Sequence, residues 1–307
     1  DNLKTLDALK SILGLYSGLQ SEESPFVFIL IGNFVRNAII NGSGQAGSVE
    51  YKEYFDALAT VLSEFPTLLR HSTFVFVPGD NDPWASAFSA GGASTIPRRG
   101  IPELFTSRVK RAFTTANSEA GTSDSPNPAG EAIWTSNPSR LSLFGPVHDI
   151  TVFRDDISGR LRRSAVSTKA DASAEDPDTA MDAGIAANDM RDTTAEDQTC
   201  RPADSTSSAI RHGRKLVKTI LDQGTISPFP LSQRPVLWDH ASSLQLYPLP
   251  TAFVLADAET APFCITYEGC HVMNPGRLIP EDEVASARWV EYDVLKNRGK
   301  VREQRYQ

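Results

Sequence analysis

Cysteine is scarce in this chain of 307 residues, which contains only Cys200, Cys264 and Cys270. Three cysteines without a C-x-x-C pair supply neither a disulfide framework nor a zinc site, so we expect a reducing, intracellular setting. No apolar run approaches the roughly twenty residues of a membrane span, and the first residues lack the apolar stretch of a secretory signal. Because the chain begins without Met, we expect it to be part of a longer protein.

Positive charge is also in short supply. Lys and Arg number 30 against 38 Asp and Glu, which gives a formal net charge of −8. Phosphate binding needs clustered Lys and Arg, so any contact with DNA is expected to be local or indirect. The hydrophobic fraction of 40% is nevertheless enough to build the core of one large domain or two ordinary ones.

The first eighty or so residues predict a parallel α/β unit, because apolar runs typical of strands alternate with amphipathic helical patterns. The continuous apolar run before Gly32 indicates a strand covered on both faces. In such units the function-bearing loops follow the carboxyl ends of the strands, here residues 32–34 and 78–84. The predicted elements are, in order, a helix at 1–18, a strand at 26–31, a Gly/Ser-rich loop at 41–48, a helix at 51–65 and a strand at 73–77.

The pattern changes from residue 96 onward, where short strands and Pro-rich turns are predicted, among them strands at 132–136, 140–144 and 149–153. Residues 164–208 contain no aromatic side chain and are rich in Ala, Ser, Thr and Asp, so they are predicted to form a disordered, acidic insertion. A helix at 210–221 and strands at 251–255, 263–267 and 288–294 follow. We expect the two folded portions to be halves of one domain covering 1–307.

Two of the predicted loops have the backbone pattern of a dinuclear phosphoesterase site but mostly the wrong ligands. Asn33 stands where a carboxylate would bridge two metals, and a neutral amide cannot balance two divalent cations. Asp80 stands at the place of an amide ligand, and Asn81 replaces the catalytic His although it cannot donate a proton near neutral pH. Asp82 is the fourth of these former metal-site positions. The D-x-H and G-H-x-H motifs occur nowhere in the chain, so we predict no catalytic residue, no bound metal and no cofactor.

An ordered series of segments carries a family resemblance. It resembles the successive signature blocks of the B-subunits of replicative DNA polymerases, and its last two blocks are most similar to those of the polymerase epsilon branch. The resemblance implies an α/β fold of the calcineurin-like metallophosphoesterase type, a β-sandwich flanked by helices and catalytically degenerate. It also implies an OB-fold and a small N-terminal helical domain upstream. The segments are FVFILIGNF, FVPGDNDPW, IWTSNPSRL, ITVFRDD, RPVLWDHASSLQLYPLPTAFVLAD and FCITYEGCHVMNPGRL.

The same resemblance implies a function and partners. It predicts a nuclear, non-catalytic accessory subunit that positions the catalytic subunit in chromosomal DNA replication by binding its cysteine-rich C-terminal domain. A link to the replicative helicase would pass through the upstream helical domain, DNA would be bound indirectly or weakly, and no membrane would be involved. Two alternatives remain: the equivalent subunit of polymerase delta or alpha, and an active metal-dependent phosphodiesterase or nuclease with a full ligand set.

The residues leave several local interpretations open. Asp80 and Asp82 could hold one weakly bound cation, although an acidic turn before a proline is ordinary loop chemistry. The basic face of the helix at 210–221 could touch DNA or simply be solvated. The aromatic and Pro-rich stretch at 238–250 fits a partner-binding surface and core packing equally well. His271, near the last two cysteines, is more typical of a packed residue than of a nucleophilic pair.

Overall fold

A computed structural model describes residues 3–19, 24–38, 45–82, 91–119, 129–165, 203–280 and 285–306. Within those ranges no helix is both long enough and apolar enough to cross a membrane. The helices are α1 (Leu3–Ser17), α2 (Gln45–Ser63), α3 (Pro66–His71), α4 (Glu103–Glu119), α5 (Ile157–Ser164) and α6 (Ala203–Gln223). The strands are β1 (Val27–Ile31), β2 (Thr73–Val77), β3 (Ala132–Trp134), β4 (Ser139–Leu143), β5 (His148–Arg154), β6 (Ala252–Ala256), β7 (Phe263–Tyr267), β8 (Cys270–Asn274), β9 (Ser286–Asp293) and β10 (Arg298–Arg305).

The first sheet is parallel and has the order β1-β2-β3. Its register places Ile29 opposite Val75 and Val75 opposite Ile133. Alternating side chains of a strand point to opposite faces, and β1 accordingly sends Phe28 into one core cluster and Ile29 into another. Both faces of β1 are therefore covered, as its unbroken apolar sequence predicts.

The second sheet is mixed and has the order β4-β5-β6-β8-β7. Strands β5, β6 and β8 run parallel, whereas the outer strands β4 and β7 are antiparallel to their neighbours. The pairing of β5 with β6 sets Ile150 opposite Ala252, so segments on either side of the long stretch between α5 and α6 meet in one sheet. Strands β9 and β10 form a separate antiparallel hairpin.

Three apolar cores define the order of the layers. The first core lies between α1, α2 and α4 and one face of the first sheet, where Phe55, Phe74 and Phe113 are buried. The third core joins Val75 of β2 to Val152 of β5 and so lies between the two sheets. The second core packs α5 and α6 on the outer face of the second sheet. Helices, sheet, sheet and helices follow one another, which confirms the predicted α/β class.

Several predicted elements are confirmed with small shifts of their ends. The opening helix is α1, and the strands predicted at 73–77 and 263–267 are β2 and β7 without change. The short strands predicted at 132–136, 140–144 and 149–153 correspond to β3, β4 and β5. The strands predicted at 251–255 and 288–294 are β6 and β9, while β8 and β10 were not predicted.

The loop predicted at 41–48 is wrong over its last four residues, because α2 already begins at Gln45. The helix predicted at 51–65 ends early at Ser63, and Phe65 instead precedes α3, whose first residue is Pro66. Proline lacks an N–H and disfavours helical backbone in the residue before it, so the helical pattern breaks there and restarts.

Helix α4 contradicts the expectation of only short strands and turns after residue 96. Phe105, Val109, Phe113 and Ala116 recur at helical spacing and are all buried against the first sheet. Prolines and glycines at 97–102 dominate the local pattern just before this helix. These turn signals therefore led to a prediction of turns where a long amphipathic helix begins.

The acidic insertion predicted at 164–208 falls mostly on residues 166–202, which lie outside the described residues. At its edges the prediction is wrong: Ser164 ends α5, and residues 203–208 belong to α6. Helix α6 also extends beyond the predicted span of 210–221 at both ends. Once its apolar face is anchored by Val217 and Ile220, each further helical residue adds a backbone hydrogen bond without a new nucleation cost.

Candidate functional site

The loops that follow β1 and β2 meet at the carboxyl edge of the first sheet. The Gly32 N–H donates to the Val77 carbonyl at 2.8 Å, and the Asn81 N–H donates to Asn33 Oδ1 at 2.9 Å. The Asn81 side chain in turn donates to the carbonyl of Arg36 at 2.7 Å. The structure therefore brings together the sequence-predicted positions Asn33, Asp80, Asn81 and Asp82.

Asp82 points into the protein rather than into a cavity, since only 1% of it is exposed. Its carboxylate accepts the N–H of Gly79 at 2.7 Å, the N–H of Phe34 at 3.1 Å and the Tyr51 hydroxyl at 3.4 Å. Burial raises the pKa of Asp82 to about 6, and these donors together with the charge of Arg98 limit the rise. Asp82 thus links the two loops.

Asp80 points the other way and meets arginine side chains. Its Oδ1 lies 2.6 Å from Nη2 of Arg234, and its Oδ2 lies 3.4 Å from Nη2 of Arg160. The Ser94 hydroxyl donates to the same carboxylate at 3.3 Å. The Arg234 side chain is completely buried, so its charge is compensated inside the protein and not by solvent.

A second carboxylate from the other sheet shares these arginines. Asp155 follows β5 and lies 3.0 Å from Nη2 of Arg160 and 3.7 Å from Nη2 of Arg234. Burial raises the pKa of Asp155 to about 6, against the attraction of Arg234 and Arg160. Arg234 therefore connects Asp80 at the end of the first sheet to Asp155 at the end of the second.

Two further arginines hold the backbone of the loops. Arg98 donates to the carbonyl of Asp80 at 2.6 Å and also to the carbonyl of Asp82, and desolvation lowers its pKa. Arg154 donates through Nε to the carbonyl of Gly32 at 3.0 Å and pairs with Asp156 at 2.8 Å. We call these four side chains the arginine cluster: Arg98, Arg154, Arg160 and Arg234.

The sequence reasoning missed the arginine cluster. Its members come from three separate stretches of the chain, and none belongs to a motif of the metal site. One signal was present, because Arg154 immediately precedes Asp155 and Asp156 at the end of a predicted strand. Charged residues at the carboxyl end of a buried strand indicate a polar site at that edge.

A polar cavity of about 380 Å³ opens above these loops. It exposes both acids and bases, so its charge is mixed rather than concentrated in one sign. The lining residues are Asn33, Asp80, Asn81, Gly92, Ala93, Asp156, Arg160, Arg163, Ser232, Gln233, Pro235 and Glu259.

The donor set does not fit a pair of divalent cations. Asp80 already has a buried guanidinium 2.6 Å away, and a cation bound there would have to displace Arg234. The Asp82 carboxylate faces N–H and O–H donors, and Asn33 Oδ1 accepts from Asn81, so neither presents free lone pairs to a shared point. Within the described ranges no group of three or more His, Cys, Asp or Glu side chains could hold a metal ion.

His271 and its neighbouring cysteines are packed residues. His271 Nδ1 lies 2.8 Å from the Thr266 hydroxyl, and its Nε2 accepts the N–H of Gly299 at 2.7 Å. Burial lowers the pKa of His271 to about 4 and raises the pKa values of Cys264 and Cys270 to about 11 and about 12. Neutral thiols beside a weakly basic imidazole lack the thiolate that nucleophilic attack requires.

Comparison with known proteins identifies the family. The family model for the B subunit of DNA polymerase alpha/epsilon matches residues 1–265. The chain belongs to this family. The resemblance seen in the signature blocks is thereby confirmed, and relatives named as the B subunit of DNA polymerase epsilon agree with the epsilon-like character of the last two blocks.

Three of these relatives come from yeasts. The Saccharomyces cerevisiae protein is 34% identical over 100% of this chain and 41% of its own length, and the Schizosaccharomyces pombe protein is 34% identical over 91% and 39%. The Candida glabrata protein is 31% identical over 95% and 38%. The chain thus spans about two fifths of the length of these relatives. A crystal structure of TT1561 from Thermus thermophilus aligns with 99% of this chain and 93% of that chain at 12% identity, with a TM-score of 0.37, which is too low to support a fold argument.

Proposed function

We propose that this chain is a region of the non-catalytic B subunit of DNA polymerase epsilon, which scaffolds the catalytic subunit during chromosomal DNA replication in the nucleus. The observation that carries the proposal is the alignment of the whole chain, at 34% identity, with a relative named as the B subunit of DNA polymerase epsilon. The equivalent subunit of polymerase alpha is the nearest alternative, because the family description covers alpha and epsilon. The equivalent subunit of polymerase delta is a further alternative.

The role proposed for the strand-end loops is structural. The fold we assign is a degenerate calcineurin-like phosphoesterase sandwich, supported by two sheets that share a core and by helices on both outer faces. In this assignment Asn33, Asp80, Asn81 and Asp82 are former metal-site positions. Arg234 supplies to Asp80 and Asp155 the positive charge that a metal would otherwise supply.

The proposed partners follow from the family. The cysteine-rich C-terminal domain of the polymerase epsilon catalytic subunit would bind this region, and the replicative helicase would be reached through an upstream helical domain. DNA would be contacted indirectly or weakly, which agrees with a net charge of −8. Residues 1–307 would form one domain with an insertion between α5 and α6, and the parallel pairing of β5 with β6 supports this.

Co-expression tests the proposal. The full-length protein would be produced with the C-terminal domain of the epsilon, delta or alpha catalytic subunit in three parallel experiments and analysed by size-exclusion chromatography. We expect a stoichiometric complex with the epsilon domain and no complex with the delta or alpha domain. Co-elution with the delta or alpha domain instead would overturn the epsilon assignment, and separate elution of folded proteins in all three experiments would overturn the scaffold role.

A further inference from the structure

An apolar groove opens on the surface formed by residues 223–247, at a distance in sequence from the strand-end loops. Its volume is about 340 Å³. Trp238 and Tyr247 stand at it with 81% and 89% of their surfaces exposed, and Leu231 is 57% exposed. We call it the aromatic groove; its lining residues are Gln223, Gly224, Thr225, Ser227, Leu231, Val236, Trp238, Ala241, Leu244, Gln245 and Tyr247.

The segment that carries the aromatic groove is fixed to the core. The Ile226 N–H donates to the Leu244 carbonyl at 2.9 Å, and the Leu246 N–H donates to the Gly224 carbonyl at 2.8 Å. Ile226, Leu244 and Leu246 are buried in the second core. The exposed aromatic side chains therefore project from a backbone that is already ordered, which lowers the entropy cost of binding a partner there.

This segment also resolves the two interpretations of residues 238–250 that the sequence left open. Leu244 and Leu246 serve the core, whereas Trp238 and Tyr247 face solvent. Trp and Tyr are enriched at the energetic centres of protein interfaces, so two of them exposed beside a shared groove indicate a docking surface.

The chemistry of the lining selects an apolar occupant. No Asp, Glu, Lys, Arg or His lines the aromatic groove, in contrast to the polar cavity at the strand ends, which has five such residues. A phosphate or a cation would find no countercharge among the lining side chains themselves. Gln223, Thr225 and Gln245 also line it, so the groove offers amide and hydroxyl groups beside its apolar surface. A polypeptide brings both apolar side chains and backbone polar groups.

An exposed acidic side chain beside the aromatic groove favours a basic residue in the flank of that occupant. Asp239 is exposed, follows Trp238 directly and forms no ion pair with any side chain in the part of the chain that the structure describes. A Lys or Arg next to the apolar anchor would complement it and would also suit a chain of net charge −8.

We infer that the aromatic groove is the docking surface for an apolar segment, flanked by a basic residue, of the catalytic subunit. The inference rests on the proposed function for the identity of the partner. The anchor of that segment fills the space between Trp238 and Tyr247, and its backbone polar groups face Gln223 and Gln245. Its basic residue faces Asp239.

The test uses the full-length protein and the catalytic subunit, with the dissociation constant measured by biolayer interferometry. The W238A/Y247A variant should bind roughly thirty-fold more weakly, as expected when interface anchors are truncated. The D239K variant should bind several-fold more weakly, mainly through slower association. L295A is the matched control, because Leu295 is 97% exposed and lies in the turn between β9 and β10. All three variants should keep the wild-type Tm, since each replaced side chain is exposed.

The outcomes separate the two proposals. If the wild type and L295A bind the catalytic subunit and W238A/Y247A loses affinity for it, the groove assignment is supported. Unchanged binding of a folded W238A/Y247A variant overturns that assignment and leaves the scaffold role intact. Failure of the wild type to bind overturns the proposed function itself. If light scattering shows that the wild type alone is a dimer and that W238A/Y247A is a monomer, a second copy occupies the groove and the inference is wrong.

Discussion

Replacing Arg234 by methionine should destabilise the protein strongly. The Arg234 side chain is fully buried and carries the nearest positive charge to Asp80, at 2.6 Å, while also lying 3.7 Å from Asp155. Removing one partner of a buried ion pair leaves an uncompensated charge and costs about 3–5 kcal/mol. We therefore expect R234M to lose about 3–5 kcal/mol of unfolding free energy at pH 7.5, or roughly 10 °C in Tm.

The loss should depend on pH with a defined sign. Burial already raises the pKa of Asp155 to about 6, and removing Arg234 raises it further. At pH 5.5 the folded variant binds a proton at this carboxyl that the unfolded chain does not bind, so the buried charge disappears. The deficit of R234M relative to the wild type should therefore be smaller at pH 5.5 than at pH 7.5, by about 1 kcal/mol or more.

Urea unfolding at both pH values measures these differences. R162M is the matched control, since Arg162 forms an exposed ion pair with Glu259 at 3.2 Å and should lose less than about 1 kcal/mol. If R234M does not fold, R234K keeps the charge without the two-pronged geometry and should show an intermediate loss. A loss below about 1 kcal/mol in R234M, or an equal loss at both pH values, would refute the role given to Arg234.

Three further predictions concern the loops and the packed histidine. A methyl group on Gly32 would lie 2.3 Å from Asp82 Oδ2, so thermal unfolding of G32A should show a loss of about 1–3 kcal/mol in unfolding free energy. G18A is the control and should show no such loss, because its added carbon meets no atom closer than 3.8 Å. Because the folded pKa of Asp82 is about 6 and its ordinary value 3.8, its contribution to stability is complete below about pH 4 and is lost as pH rises through 6. D82N should flatten that slope in urea titrations, and an unchanged slope would contradict the assignment. H271A removes the acceptor of the Gly299 N–H, so hydrogen exchange at that amide should accelerate and the Tm should fall by a few degrees. An amide that stays fully protected from exchange would show that another group holds the hairpin of β9 and β10.

The sequence was sufficient to predict where polar chemistry gathers in the first sheet. Two apolar strand patterns separated by a helical pattern dictate parallel pairing, and parallel strands end at one edge. Gly32-Asn33 and Gly79 to Asp82 therefore had to lie together, and the structure brings Asn33 within 2.9 Å of the Asn81 N–H. The sequence also predicts that Asn33 and Asn81 are poor metal ligands, since a neutral amide side chain cannot replace a bridging carboxylate.

The direction in which each carboxylate points was not predictable. Asp80 and Asp82 are two residues apart, yet one meets Arg234 and the other meets backbone amides of the loops. That difference depends on the backbone path of the turn and on an arginine more than 150 residues further along the chain. Only the folding of the chain brings this arginine next to Asp80. Long-range ion pairs of this kind leave no periodic signal.

Helix α4 and the ends of α6 show a second reason for the misses. Local turn signals at 97–102 outweighed the helical spacing of Phe105, Val109 and Phe113, although tertiary burial of that spacing against the first sheet decides the structure. The polar start of α6 likewise has little apolar content of its own. It is helical because the buried face that follows has already nucleated the helix.

Manganese binding distinguishes carboxylates that pair with arginines from carboxylates that hold metal ions at the strand ends. Isothermal titration of the protein with Mn²⁺, at pH 7.5 and with a phosphodiester substrate assayed on the same sample, gives a single answer. Because Arg234 and Arg160 already occupy the carboxylates, we expect only the heat of dilution, no shift in Tm and no hydrolysis. Saturable binding of one or two ions per chain together with metal-dependent hydrolysis would contradict this expectation and would favour an active phosphodiesterase.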